Sequence, residues 1–137
     1  MLDSALAEAG INRQDAYVTN VVKHFKWVAR GERRIHKTPG AREIEACLPW
    51  LENEIALIEP AVLVAMGATA ARVLLGNDFR VSRQHGKFIE SSLAPLVTAT
   101  IHPSAVLRQQ TDQDRRREMR SLVQDFRKVG RALDGRR

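Results

Sequence analysis

The chain has 137 residues, 44% of them hydrophobic, which suits one domain, residues 1–137, with a single moderate core. No apolar run approaches the roughly 18 residues a membrane span needs, and no basic-then-apolar leader pattern is present, so a soluble, cytoplasmic protein is expected. The formal net charge of +6 favours polyanionic partners, while a single cysteine excludes an internal disulfide framework.

Residues 2–9 have helical spacing, with Gly10 placed as a stop. Ala16-Tyr17-Val18-Thr19-Asn20-Val21-Val22 is rich in β-branched residues and reads as a buried strand. Residues 23–42 then carry seven basic side chains against one acid, leaving 15 of each sign elsewhere. The positive charge is therefore focused on one stretch, Arg33-Arg34-Ile35-His36-Lys37 at its centre, read as a loop. Such a patch is either a polyanion contact or a solvated surface, and charge does not decide between them.

Thr38-Pro39 supplies an N-cap and a first helical residue for a helix running to about Ile58. Its apolar stripe is Ile44, Cys47, Leu48, Leu51, Ile55 and Ile58, and Pro49 is expected to kink it near Glu45. Residues 61–66 form a second buried strand, and Gly67 turns the chain into a short helix, 68–75, closed by Gly76. A hairpin through Gly86 is predicted to join residues 79–81 to 87–89. A third strand spans 96–101 and ends at His102-Pro103-Ser104. A long amphipathic helix follows over 112–133, with Met119, Leu122, Val123, Phe126, Val129 and Leu133 on one face and Arg115, Arg116, Arg117 and Arg120 outside.

Strands alternating with helices imply an α/β layer structure with a parallel sheet, whose ligands bind beyond the carboxyl ends of the strands. Asn20, Gly67 and His102 stand at such ends. His102 can donate a hydrogen bond to developing negative charge, with Ser104 and Arg108 gripping phosphate, or it is a strand-end histidine beside a capping serine. Asn20 offers a donor and an acceptor, as reading a pyrimidine edge requires, or it initiates a turn. His36 lies among cations that favour its neutral, nucleophilic form, or it is an exposed loop histidine. His24 and Cys47 have irregular spacing for a self-contained zinc site, and a cysteine on a helical stripe is ordinarily a small buried hydrophobe. His85, in the predicted hairpin turn, reads as surface.

Together, Val18-Thr19-Asn20-Val21-Val22-Lys23-His24, Arg33-Arg34-Ile35-His36-Lys37-Thr38-Pro39, Ala46-Cys47-Leu48-Pro49-Trp50-Leu51, Met66-Gly67-Ala68-Thr69-Ala70 and His102-Pro103-Ser104 resemble the uracil-DNA glycosylase superfamily. The segment 33–37 resembles the inserted loop that marks its iron–sulfur UdgX branch. The resemblance covers residues 2 to about 126 and implies a three-layer α/β/α fold with a short, mainly parallel sheet. It implies that Asn20 reads uracil, His102 stabilises charge on uracil O2, and His36 captures the sugar C1′ carbon covalently. Arg33, Arg34, Lys37, Ser104 and Arg108 are then phosphate contacts on uracil-containing, single-stranded DNA, bound by a monomer.

In the same family, His24 and Cys47 correspond to two of the four ligands of a [4Fe–4S] cluster. The cysteine pair that supplies the other two has no counterpart here, nor has the family's first strand with its Gly-Glu-x-Pro-Gly motif. The chain thus resembles a member shortened at its N-terminus, with residues 16–22 and 61–66 expected to be exposed or misplaced. An ordinary hydrolytic glycosylase and a non-catalytic DNA-binding remnant remain as alternatives.

Overall fold

The computed structural model describes residues 1–21, 27–30, 33–36 and 41–135. Those residues divide between two compact units, one built from 1–17 and 60–137 and the other from 18–59. No helix among the described residues is long and apolar enough to cross a membrane.

The first unit has a parallel pair of strands at its centre, β3 (Val62–Met66) and β4 (Leu96–Thr100), in register from Val62 opposite Leu96 to Met66 opposite Thr100. Parallel neighbours cannot be joined by a tight turn, so the chain crosses over through helices α3 (Ala68–Leu75) and α4 (Val81–Gln84). Strand alternation then sorts the side chains of β3 between two cores. Val62, Val64 and Met66 pack against Ala5 and Leu6 of helix α1 (Leu2–Glu8) and Leu122, Val123, Phe126 and Val129 of helix α6 (Asp112–Gly135). Ala65, with Ala99 of β4, packs on the other side against Ala71 of α3 and Phe79. Helices thus cover both faces of the sheet, giving the α/β layering that the alternating pattern predicts and the three layers that the resemblance implies.

The stripe on α6 forms as expected: Leu122, Val123, Phe126 and Val129 are buried, with Met119 and Leu133 packed at the margin. At about 1.5–3 kcal/mol for each large apolar side chain, this stripe and α1 contribute much of the unit's stability. Helix α5 (Pro103–Leu107) follows β4 directly and carries the chain to α6.

The segment after α3 departs from the predicted hairpin. Residues 81–84 form a helical turn instead, started where the Arg80 N–H donates to Gln84 Oε1 at 2.8 Å. Residues 86–89 attach to β4 rather than to 79–81. Gly86 N–H donates to Ala99 O at 2.8 Å, Ile89 N–H to Val97 O at 2.7 Å, and Thr98 Oγ1 to Lys87 O at 2.8 Å. Burial of Phe79 in the α3 core explains the choice, because a hairpin would draw that ring out of it.

Among its described residues, the second unit has an antiparallel ribbon and one helix. Strands β1 (Trp27–Arg30) and β2 (Arg33–His36) pair with Trp27 opposite His36 and Arg30 opposite Arg33. The basic stretch expected to be a loop is therefore, over Arg33–His36, a strand. Helix α2 (Ala41–Ile58) continues through Pro49, and its stripe is deepest at Cys47 and Leu51, while Ile58 is 41% exposed.

The strand predicted over 16–22 is absent from its described residues, 16–21, where Tyr17 is 61% exposed and Val18 42%. β-branched residues favour a strand only where a ladder partner and a packed face exist, and no described strand pairs with this run.

Candidate functional site

The first unit gathers its chemistry at the carboxyl ends of β3 and β4. Gly67 N–H donates to Thr100 O at 2.9 Å, tying the two strand ends together. Two residues later the chain reaches His102, which caps α5 with its own side chain. Ser104 N–H donates to His102 Nδ1 at 3.1 Å, and Ser104 Oγ lies 2.8 Å from the same nitrogen. The expected assignment is thereby reversed: histidine, not serine, is the cap, and the Ser104 N–H is spent on the ring.

That pattern decides the tautomer. A backbone N–H can point at Nδ1 only if Nδ1 keeps its lone pair, so the neutral ring carries its proton on Nε2. His102 is left with one outward donor. Packing around the ring, and then the positive charge of Arg108, lower its pKa below the ordinary histidine value. Both effects oppose protonation.

Gly67 permits the close approach of the two strand ends. Its φ is +90°, and a Cβ built there would lie 3.1 Å from His102 Cβ. Gly67, which opens a segment too generic to interpret on sequence alone, is the residue against which His102 rests.

The remaining predicted residues lie in the second unit or outside the described residues. Asn20 lies within residues 16–21, which form no strand, so it does not stand at a strand end. Arg33, Arg34 and His36 belong to β2. Cys47 is buried in α2 at 4% exposure. His24 and Lys37 lie outside the described residues.

Among the described residues no three His, Cys, Asp or Glu side chains come together as a metal-holding group. The one cysteine and one histidine that the resemblance assigns to a cluster do not make up the four ligands such a group takes. The donor set does not fit a complete [4Fe–4S] site.

Sequence reasoning missed a buried polar cluster behind the site. Asp125, 4% exposed, sits on the packed side of α6, where Thr100 Oγ1 donates to its Oδ2 at 2.6 Å. His85 Nδ1 lies 2.7 Å from the same oxygen, so His85, expected at the surface, is half-buried and held by a partner. The available signal was Asp125 itself, an acid inside the run Leu122, Val123, Phe126.

The family model of the uracil DNA glycosylase superfamily matches residues 1–127. The chain belongs to that superfamily. The match crosses both units. Among the superfamily's curated members, the chain is similar to three Type-4 uracil-DNA glycosylases. That of Thermotoga maritima is 35% identical over 117 residues, 85% of this chain and 57% of the relative. The Archaeoglobus fulgidus protein is 34% identical over 137 residues, 95% and 62% respectively. The Pyrobaculum aerophilum protein is 33% identical over 115 residues, 79% and 55%. The chain therefore spans from 55% to 62% of the length of these relatives.

Proposed function

We propose that this chain recognises uracil in DNA and breaks the N-glycosidic bond, with His102 as the group that stabilises the departing base. The observation that carries this reading is the locked ring of His102. Its neutral Nε2–H can donate to uracil O2 as negative charge develops there, and it brings no proton-rich imidazolium that water would have to solvate. Membership of the superfamily and similarity to the Type-4 enzymes support the same substrate.

Bond cleavage sends the C1′–N1 electron pair onto uracil and leaves an oxocarbenium-like sugar. Asn20 reads the pyrimidine edge of the flipped base through its amide. His36 then supplies a nitrogen lone pair to C1′, forming a covalent bond, and its other ring nitrogen releases a proton to solvent. Capture in this way ends turnover after one event. Arg33, Arg34, Lys37 and Arg108 hold phosphates of a single strand, and Ser104 serves chiefly by fixing the His102 ring. The resemblance to the UdgX branch supports capture; His24 and Cys47 are the only residues offered to a cluster, and no step runs through one.

A second reading replaces His36 by water, giving an ordinary hydrolytic glycosylase, and the Type-4 names of the relatives favour it. An oligonucleotide with one uracil separates the two. Capture predicts a gel shift that survives detergent and vanishes in His36→Ala; hydrolysis predicts an alkali-labile abasic site without crosslinking. Salt-sensitive binding with no preference for uracil over thymine would overturn both.

A further inference from the structure

We propose that the outer edge of α6 is a second nucleic-acid contact, in which Arg116, Arg120, Arg127 and Arg131 form a track for the phosphates flanking the target nucleotide. The proposal rests on the nucleic-acid reading above but not on uracil chemistry. The orientation of α6 is set by burial of Leu122, Val123, Phe126 and Val129. At 3.6 residues per turn, positions 116, 120, 127 and 131 then fall within about 60° of one another along one flank of the helix, next to the packed face at Val123. All four are exposed. The line covers 15 residue steps, about 22 Å at 1.5 Å per residue, comparable to about six phosphates spaced roughly 3.4 Å apart along a strand.

Charge pairing on the helix distinguishes this line from an ordinary solvated face. Arg117 donates to Asp114 at 2.8 Å and Arg115 is paired with Asp112, so those two cations are neutralised locally. Among the described residues none of the four track arginines pairs with an acid, and no acid lies on the line between Arg116 and Arg131. Arg116 with Arg120, and Arg127 with Arg131, are instead like charges at i,i+4, which weaken a helix unless an anion lies between them. Every member is arginine, whose planar fork matches two phosphate oxygens, rather than lysine.

The track also starts near the site. Arg115 Nη1 donates to Gln109 O at 2.8 Å, fastening the first turn of α6 to the segment that leaves α5, and α5 is capped by His102. A strand entering at His102 can therefore continue along α6.

The test is equilibrium binding of the full chain to a uracil-free 20-nucleotide single strand, followed by fluorescence anisotropy over a range of salt. In the variant Arg116→Gln/Arg120→Gln/Arg127→Gln/Arg131→Gln, the slope of log K against log salt should fall by about 0.7 for each arginine engaged, close to 3 in all. Arg117→Gln, which removes a paired cation of the same helix, should leave the slope unchanged. Circular dichroism checks that helix content is kept. An unchanged slope in the folded fourfold variant overturns the track alone, as does an equal loss in the paired-cation control. A wild-type chain that does not bind DNA overturns the track and the proposed function together.

Discussion

Asp125 Oδ2 accepts a hydrogen bond from Thr100 Oγ1 at 2.6 Å, joining the middle of α6 to the last residue of β4. Thr100 is fully buried and Asp125 nearly so, with His85 Nδ1 at 2.7 Å from the same oxygen. Removing the carboxylate while leaving Thr100 in place strands a buried hydroxyl, which typically costs about 1–3 kcal/mol. Asp125→Ala should therefore lower stability by about 3 kcal/mol once the lost contacts of His85 are included. Thr100→Val in the same background should recover part of that, since both partners are then apolar. Urea midpoints of the two single variants and the double variant check this; additive losses would mean that the pair is not coupled.

Gly86 borders the same cluster. Its φ of +76° is a conformation side chains rarely adopt, and a Cβ there would overlap Asp125 Oδ1 and lie 3.1 Å from Lys128 Nζ. Two costs therefore add for Gly86→Ala: about 1 kcal/mol or more for the backbone, and displacement of a carboxylate that Thr100 and His85 hold in place. A loss of about 2–3 kcal/mol is expected in denaturant unfolding. In an Asp125→Ala background the same substitution should cost about 1 kcal/mol, the backbone share alone.

Much of the first unit was legible in the chain's pattern, and the exceptions have physical reasons. β3, α3, β4 and α6 each carry a strong period with a glycine, proline or acidic cap at the border, so local and tertiary preferences agree. Residues 16–21 have strand composition without a strand's partner. Residues 79–89 have hairpin punctuation, yet Phe79 is worth more in the core, and the edge of β4 offers better partners for Gly86 and Ile89. At the site, the sequence placed His102 and Gly67 at neighbouring strand ends, as found. It misassigned the cap because His102 and Ser104 both suit that position, and only the bond to Nδ1 distinguishes them. His85 was passed over because its partner, Asp125, is 40 residues away in the chain.

Protonation of His102 gives a pH prediction with a definite sign. Partial desolvation of the ring, and then the nearby Arg108 charge, hold its folded-state pKa below the ordinary value of about 6.5, although the residue keeps an exposed side. The unfolded chain therefore takes up this proton first on acidification. The stabilising contribution is fully present above about pH 6.5 and is lost as pH falls through the lowered folded value. If the neutral ring is the working form, the acid limb of glycosidic cleavage lies below pH 6.5. Arg108→Gln, which removes the second of the two causes, should move that limb upward toward 6.5. Single-turnover rates on uracil-containing DNA across pH 4.5–8 test it; an identical limb in the variant would show that Arg108 does not act through His102.

Gly67→Ala separates positioning from folding. The added methyl would stand 3.1 Å from His102 Cβ, tighter than ordinary contact, at a φ of +90°. Relief requires either that the β3–α3 turn move or that His102 shift away from Ser104. The turn is held where Gly67 N–H bonds Thr100 O at 2.9 Å, whereas His102 lies at the mouth of α5 with solvent on one side. The histidine is the easier to displace, and its bond from Ser104 N–H, already 3.1 Å, is the one that lengthens. A displacement near 1 Å at a group that stabilises developing charge typically costs about 10²-fold in rate. Cleavage by Gly67→Ala should therefore fall by about 10²-fold, while unfolding free energy falls by only about 2 kcal/mol, the strain of the backbone. The ring should also lose its fixed tautomer, so imidazole nitrogen shifts in NMR would change from a single Nε2–H form to a mixture. A variant with normal tautomer and normal rate would mean that Gly67 serves the turn and not the histidine.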